Sequence, residues 1–166
     1  MIRSARSDDA PQIAALYSHY VQSTTISFEE KTLTGEDMAG RLGAVQSAGL
    51  PWLVAEREGQ LLGFACASPW KVRHAYRHSV EISIYLHPQQ RGTGIGSALY
   101  TRLFAALHEL PIHAVLACIA LPNAHSVALH EKFGMRKVAH FAEVGYKFGQ
   151  WLDVGYWQRN LDGDVY

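Results

Sequence analysis

Between Ser79 and Leu107 the hydrophobic period of the chain changes, and a glycine loop stands at the change. Val80, Ile82, Ile84 and Leu86 recur every second residue, as a half-buried strand requires. Ile95, Leu99, Leu103 and Leu107 recur every fourth, with Ala98, Phe104 and Ala105 on the same side, which is the stripe of a packed helix. Gln90-Arg91-Gly92-Thr93-Gly94-Ile95-Gly96 joins the two. Free backbone N–H groups and the positive end of the helix dipole favour an anion at such a turn. Glycine adds positive φ and close approach to a phosphate. Two familiar nucleotide motifs are excluded by spelling. A P-loop ends in Lys-Ser or Lys-Thr, where this chain has Gly96-Ser97-Ala98. A dinucleotide fingerprint needs G-x-G-x-x-G and an acid about twenty residues on. Here the spacing is G-x-G-x-G, and the region around Leu116 is apolar.

The rest of the chain supplies a context for that loop. Residues 2–6 read as a short strand, and Ser7-Asp8-Asp9-Ala10-Pro11 as a helix start ahead of Ile13, Leu16, Tyr17 and Tyr20. Residues 24–30 read as a loop, and a second helix after Thr34 carries Met38, Leu42 and Val45. Trp52–Glu56 and Leu61–Ala67 flank a turn at Arg57-Glu58-Gly59-Gln60, giving a hairpin. Residues 68–78 form a polar, aromatic loop with several cations. Beyond the central unit come a strand at Ile112–Ile119, a short helix at Asn123–Phe133, a strand ending near Val138 and a last strand at Tyr156–Gln158. The order β-α-α-β-β-β-α-β-α-β-β predicts an α/β (α+β) fold with a mixed sheet covered by helices.

At 166 residues, without a repeat or a long linker, the chain is expected to form one domain over 1–166, with 162–166 a polar tail. Zero net charge and the absence of a basic stripe argue against nucleic acid or a membrane surface as partner. The N-terminus lacks the apolar core of a signal peptide, so a cytoplasmic location is the default expectation. Cys66 and Cys118 lie in apolar strand-like runs and are expected to be buried free thiols. The nine histidines fall in no metal-ligand spacing, so no metal site is expected.

Four separated segments resemble the GNAT superfamily of N-acetyltransferases, in its phosphinothricin and methionine sulfone/sulfoximine branch. They are Trp70-Lys71-x-Arg73-x-Ala75-Tyr76 with Val80-Glu81, the strand with its Arg91-x-x-Gly94-x-Gly96 loop, Leu121-Pro122-Asn123 through Gly134, and Val144 through Gln158 with its Gly-x-Lys-x-Gly-x-Trp-x-Asp-Val core. Thr24-Thr25 and Phe28 match near the N-terminus, so the resemblance runs to about Leu161. It implies the GNAT fold, with a mostly antiparallel twisted sheet, and acetyl-CoA as acetyl donor without a metal. It also implies transfer to the α-amine of a small amino acid analogue by direct attack in a ternary complex, and homodimers.

The resemblance implies site residues as well. Arg91, Gly92, Thr93, Gly94, Ile95 and Gly96 would hold the pyrophosphate, backbone groups of Ile84, Tyr85 and Leu86 the pantetheine arm, and Asn123 and Ser126 the region near its end. The arm would enter a splay between this strand and the next. Glu81, a carboxylate inside an otherwise apolar strand, matches the family's base; its structural alternative is an ion pair with Arg73 or Arg77. His130 occupies the segment from which a proton reaches the leaving thiolate, with helix packing as the alternative. Arg73, His74, Tyr76 and Arg77 are candidates to clamp the anionic end of the substrate, Phe28 to wall it and Lys147 to contact it. Two other functions stay open: a GNAT enzyme for a polyamine, aminoglycoside or protein N-terminus, and a non-catalytic acyl-CoA-binding module. The cationic loop disfavours a polycation, and Glu81 disfavours a module without catalysis.

Overall fold

The structure, a computed structural model, describes residues 1–162. Apart from Asp162, the expected tail lies outside the described residues. Strands β1 (Ile2–Ser4), β2 (Trp52–Arg57), β3 (Gln60–Pro69), β4 (Ser79–Leu86), β5 (Ala114–Leu121), β6 (Arg136–Lys147) and β7 (Gln150–Asn160) alternate with helices α1 (Ala10–Ser23), α2 (Gly35–Ser47), α3 (Ile95–His108) and α4 (Ala124–Lys132) in the order the sequence predicts. They form one seven-stranded sheet, ordered β1-β2-β3-β4-β5-β7-β6. Every neighbouring pair is antiparallel except β4 with β5.

Local chemistry fixes the element ends. Thr34 Oγ1 accepts from Asp37 N at 3.1 Å and Asp37 Oδ2 accepts from Thr34 N at 2.9 Å, a reciprocal cap that starts α2. Glu58 and Gly59 both have positive φ (52° and 80°), which closes the β2–β3 hairpin tightly. Ahead of α1, a short 3-10 turn at Ser7–Asp9 is held by Asp9 Oδ2, which accepts from Arg6 N at 2.7 Å.

The two faces of the sheet are covered unequally. Leu99, Leu103 and Leu107 of α3 pack on Val80, Ile82, Ala65 and Ala67, and this core continues under α4 through Val115, Ala117, Ile119 and Trp157. Each fully buried leucine there contributes about 2 kcal/mol of transfer free energy. On the opposite face, Ile13, Tyr17, Val21, Met38 and Leu42 of α1 and α2 pack against Trp52, Val54, Phe64, Cys66 and Tyr85. That second core, as described, takes nothing from β5, β6 or β7. Helices therefore cover both faces of the β1–β4 half, while α1 and α2 leave one face of the other half uncovered.

This asymmetry corrects one expectation. Cys66 is buried, and burial pushes its thiol up to about 12. Cys118 is exposed instead, because it points to the face of β5 that no helix covers. A second correction concerns β6, which runs to Lys147 rather than stopping near Val138. Its register against β7 shifts between Phe141 and Gly145, and Glu143 adopts φ 53°. A bulge of this kind breaks the alternation from which a strand is recognised.

Candidate active site

Strands β4 and β5 are paired only at Ser79–Ala114, Val80–Val115 and Glu81–Leu116. Beyond Glu81 they part, and the β5-facing edge of β4 from Ile82 onward has no strand beside it. A groove opens there, walled by Ile84 and Leu86 of β4, Tyr20 and Ile26 from the α1 side, and Asn123, Ser126 and Leu129 at α4. Tyr85 contributes backbone alone, since its ring turns to the other face and meets Tyr17 and Tyr20 at 5.0 and 5.1 Å. Asn123 Oδ1 accepts from Ser126 N at 3.2 Å, so the side chain that starts α4 also sits on the groove.

The glycine loop closes one end of the groove. Gly92 (φ 75°) and Gly94 (φ 86°) occupy the left-handed region, and Gly94 leads straight into the first turn of α3. Arg91 lines the groove, Thr93 Oγ1 donates to Gln90 O at 2.7 Å, and Ile95 begins the helix. Gly96 sits where α3, α4 and β4 meet: a Cβ there would lie 3.4 Å from both Leu129 and Leu86. Peptide edges along β4, an apolar wall and N–H groups at a helix start suit an extended amide-bearing arm ending in pyrophosphate.

Where the strands part, Glu81 stands on the face that α3 does not cover. Burial pushes its carboxyl above the usual carboxylate range, and the nearby Lys71 ammonium pulls it partly back. No ion pair to Glu81 occurs among the described residues, so neither Arg73 nor Arg77 neutralises it. By register, Leu116 and Cys118 of β5 and Tyr156 of β7 share this face. Tyr156 is pushed up to about 12 by burial and by Cys118, with a smaller push from Glu81. Glu81, Cys118 and Tyr156 thus share one face of the sheet beside the end of the groove.

The remaining candidates fall in three places. Arg73, His74 and Arg77 line a hollow with Lys71, the end of α2 and the α3–β5 link. Tyr76 turns away from that hollow and meets Trp70 edge-on at 5.3 Å. Phe28 is partly exposed at 39%, and its ring lies over Gly145 of β6. Lys147 is only 1% exposed, donates to Ser27 O at 2.6 Å and is pulled below the usual lysine range by burial. It holds the α1–α2 loop and has little surface left for a ligand.

His130 is buried as well, at 3% exposure. Its Nε2 is 2.8 Å from Tyr100 Oη, and its Nδ1 is 2.7 Å from Ser126 O. A carbonyl only accepts, so Nδ1 carries the proton and Nε2 accepts from Tyr100. Burial lowers its proton affinity, and the hydrogen bond to Ser126 O partly offsets this.

The acetyltransferase (GNAT) domain family matches residues 2–155. The chain belongs to the GNAT acetyltransferase family. A phosphinothricin N-acetyltransferase of Streptomyces viridochromogenes is 38% identical to this GNAT chain over 97% of it and 87% of the relative. An L-methionine sulfoximine/L-methionine sulfone acetyltransferase of Salmonella typhimurium is 34% identical over 97% and 94%. Among solved structures, a GNAT phosphinothricin acetyltransferase from Sinorhizobium meliloti in complex with acetyl-CoA superposes with a TM-score of 0.94. It is 35% identical, over 97% of this chain and 88% of that one. Acetyltransferases of this family take their acetyl group from acetyl-CoA, whose shape is that of the ligand the groove suits.

Sequence reasoning about this acetyltransferase passed over Lys71, Cys118 and Tyr156. Lys71 had a signal, since it lies in the same cationic loop as Arg73, His74 and Arg77. Cys118 and Tyr156 had none, because their exposure depends on which half of the sheet the helices leave open.

Proposed function

We propose that this GNAT enzyme transfers acetyl from acetyl-CoA to the α-amine of a small amino acid analogue, with phosphinothricin, methionine sulfone and methionine sulfoximine as leading acceptors. The observation that carries the reading is Glu81: an unpaired, half-buried carboxylate with raised proton affinity, standing where β4 and β5 part. An α-amine arrives protonated, and Glu81, directly or through a water, takes that proton. The freed nitrogen attacks the thioester carbonyl, forming the C–N bond as the C–S bond breaks. The second proton that the nitrogen sheds passes, directly or through solvent, to the departing thiolate, and coenzyme A leaves as the thiol. Unpaired β4 N–H groups beyond Glu81 lie along this path and are suited to polarising the carbonyl. Arg91 and the amides of Gly92 to Gly96 hold the pyrophosphate. Lys71 belongs both to the neighbourhood of Glu81 and to the hollow of Arg73, His74 and Arg77. An acceptor with its amine at Glu81 therefore has cations within reach of its anionic groups.

The relatives' names support this acceptor class, and the cationic hollow disfavours a polyamine or aminoglycoside. We further propose a single domain, a cytoplasmic location and a homodimer. Among the described residues no helix is long and apolar enough to cross a membrane. A thiol-release assay with acetyl-CoA tests the reading against the three analogues, polyamines, aminoglycosides and peptides. Release with the analogues and intersecting double-reciprocal lines are expected. Parallel lines would overturn direct transfer, release with polyamines or peptides alone would overturn the acceptor class, and coenzyme A binding without any release would make the chain a binding module.

A further inference from the structure

The second core does not extend over the face that Glu81, Cys118 and Tyr156 share, so an acceptor trough there takes its other wall from something else. The loop between α1 and α2 crosses this face. It leaves α1 beside β4, where Tyr20 Oη donates to Leu86 O at 2.5 Å and Ile26 lines the groove. It is fastened at Ser27, whose Oγ lies 2.7 Å from Tyr17 Oη and whose carbonyl accepts from Lys147 Nζ at 2.6 Å. Lys147 belongs to β6, and between β4 and β6 in the sheet lie only β5 and β7. A loop fixed at both places bridges the strands that carry Cys118 and Tyr156.

Phe28 follows the Ser27 fastening, and its ring rests on Gly145. A Cβ built on Gly145 would lie 2.3 Å from Phe28 Cε2 and 2.5 Å from Cζ. No real carbon contact is that short, so any side chain at 145 displaces the ring. Gly145 pairs with Leu152, and Leu152, Val154 and Tyr156 alternate onto one face of β7. The bare α-carbon of Gly145 is therefore on the same face as Tyr156 and Cys118. The bulge just before it, where Glu143 N donates to Asp153 Oδ1 at 2.8 Å, sets this register and brings residue 145 beneath the ring.

We propose that Gly145 is a specificity-determining residue: by leaving room for the Phe28 ring it sets the wall of the acceptor trough, and so the size of acceptor side chain admitted. The assignment rests on the acceptor reading given above. Phe28 is the group that meets the acceptor, and Gly145 acts through it as a positioning residue. The displaced ring has solvent to move into, so Gly145→Ala re-aims the wall and leaves the sheet standing. Lys147 and Ser27 keep the backbone of the loop in place.

A double-mutant cycle in the full-length enzyme tests this. Wild type, Gly145→Ala, Phe28→Ala and the double variant are assayed for kcat/KM with methionine sulfone, phosphinothricin and a bulkier amino acid, together with KM for acetyl-CoA. Gly145→Ala is expected to change the ratio of kcat/KM between small and bulky acceptors by about tenfold or more, the scale of a misplaced apolar wall. The KM for acetyl-CoA should stay within about twofold. In the Phe28→Ala background Gly145→Ala should then have almost no effect, because the ring it displaces is gone. Additive effects in the cycle would overturn the proposal, as would an acceptor ratio that Gly145→Ala leaves alone. Should Gly145→Ala fail to fold, Phe28→Ala alone decides: an unchanged acceptor ratio removes the wall and the role of Gly145 with it. Wild-type enzyme that acetylates no amino acid contradicts the acceptor reading itself, a distinct result visible before any variant is made.

Discussion

Glu81 has to satisfy two opposed conditions. It must be ionised to take a proton from an ammonium group, and it must be desolvated enough to want that proton. Burial supplies the second condition and the Lys71 charge restores part of the first. Two consequences follow from the raised folded-state pKa. Activity requires the carboxylate, so kcat/KM should rise with pH through an ionisation above the model-peptide value of 4.5. Lys71→Met should move that acidic limb to higher pH, because the lowering charge is gone; a limb that stays in place would show that Lys71 does not act on Glu81. Glu81→Gln should lower kcat by about 10²- to 10⁴-fold. It should also raise the thermal midpoint at neutral pH. A group with raised folded pKa favours the fold only below its unfolded pKa and loses that contribution as pH rises through the folded one. Activity lost together with stability gained, in one sample, separates a functional carboxylate from a structural one.

At the scale of elements, α4 is tied to α3 by His130, and the tie bears on the groove because Asn123 and Ser126 lie on the same helix. The imidazole donates to Ser126 O and accepts from Tyr100 Oη, both ends inside the fold. Its folded pKa is depressed by burial, so the unfolded chain binds more protons near pH 6 and stability should fall as pH drops below about 6.5. His130→Gln, which has no titrating ring, should flatten the thermal midpoint between pH 5 and 7, measured beside wild type by calorimetry. An unchanged slope would show that other groups set the acid limit. Tyr100→Phe leaves Nε2 without its donor and should cost about 1–3 kcal/mol in urea unfolding. The same elements show what could be read without coordinates. Hydrophobic patterns and turn residues placed the strands and α-helices of the described fold in order, and the glycine spelling placed the loop at the α3 N-terminus; the last strand, read at Tyr156–Gln158, runs from Gln150 to Asn160. The length of β6 was hidden by its bulge. The satisfaction of both His130 nitrogens depends on Tyr100, thirty residues away, a pairing that no local pattern encodes. The exposure of Cys118 is a property of where α1 and α2 stop.

For the whole molecule, the tip of the β6–β7 hairpin stands apart from the two cores. Val144, Tyr146, Phe148 and Trp151 are between 57% and 62% exposed, and the rings of Tyr146 and Trp151 lie 4.8 Å apart. β6 is also an edge strand, with one row of backbone groups that no strand in the described chain pairs. Large apolar groups clustered on an exposed edge are a surface that proteins normally cover. The proposed homodimer covers it with the same hairpin of a second copy, a self-complementary arrangement in which each ring cluster meets its own equivalent. Sedimentation equilibrium should then give twice the 18.5 kDa chain mass. Tyr146→Glu with Trp151→Glu should return the monomer, since like charges would face one another across the two-fold axis. A double variant that remains dimeric would place the interface elsewhere. The hairpin also carries Gly145 and Lys147, which hold Phe28 and its loop over the trough. If the hairpin is the interface, the monomeric variant should therefore lose acceptor kcat/KM while its KM for acetyl-CoA, set at the far side of the β4–β5 gap, stays within about twofold. A loss in both would mean that dimerisation supports the whole sheet and not the acceptor wall alone.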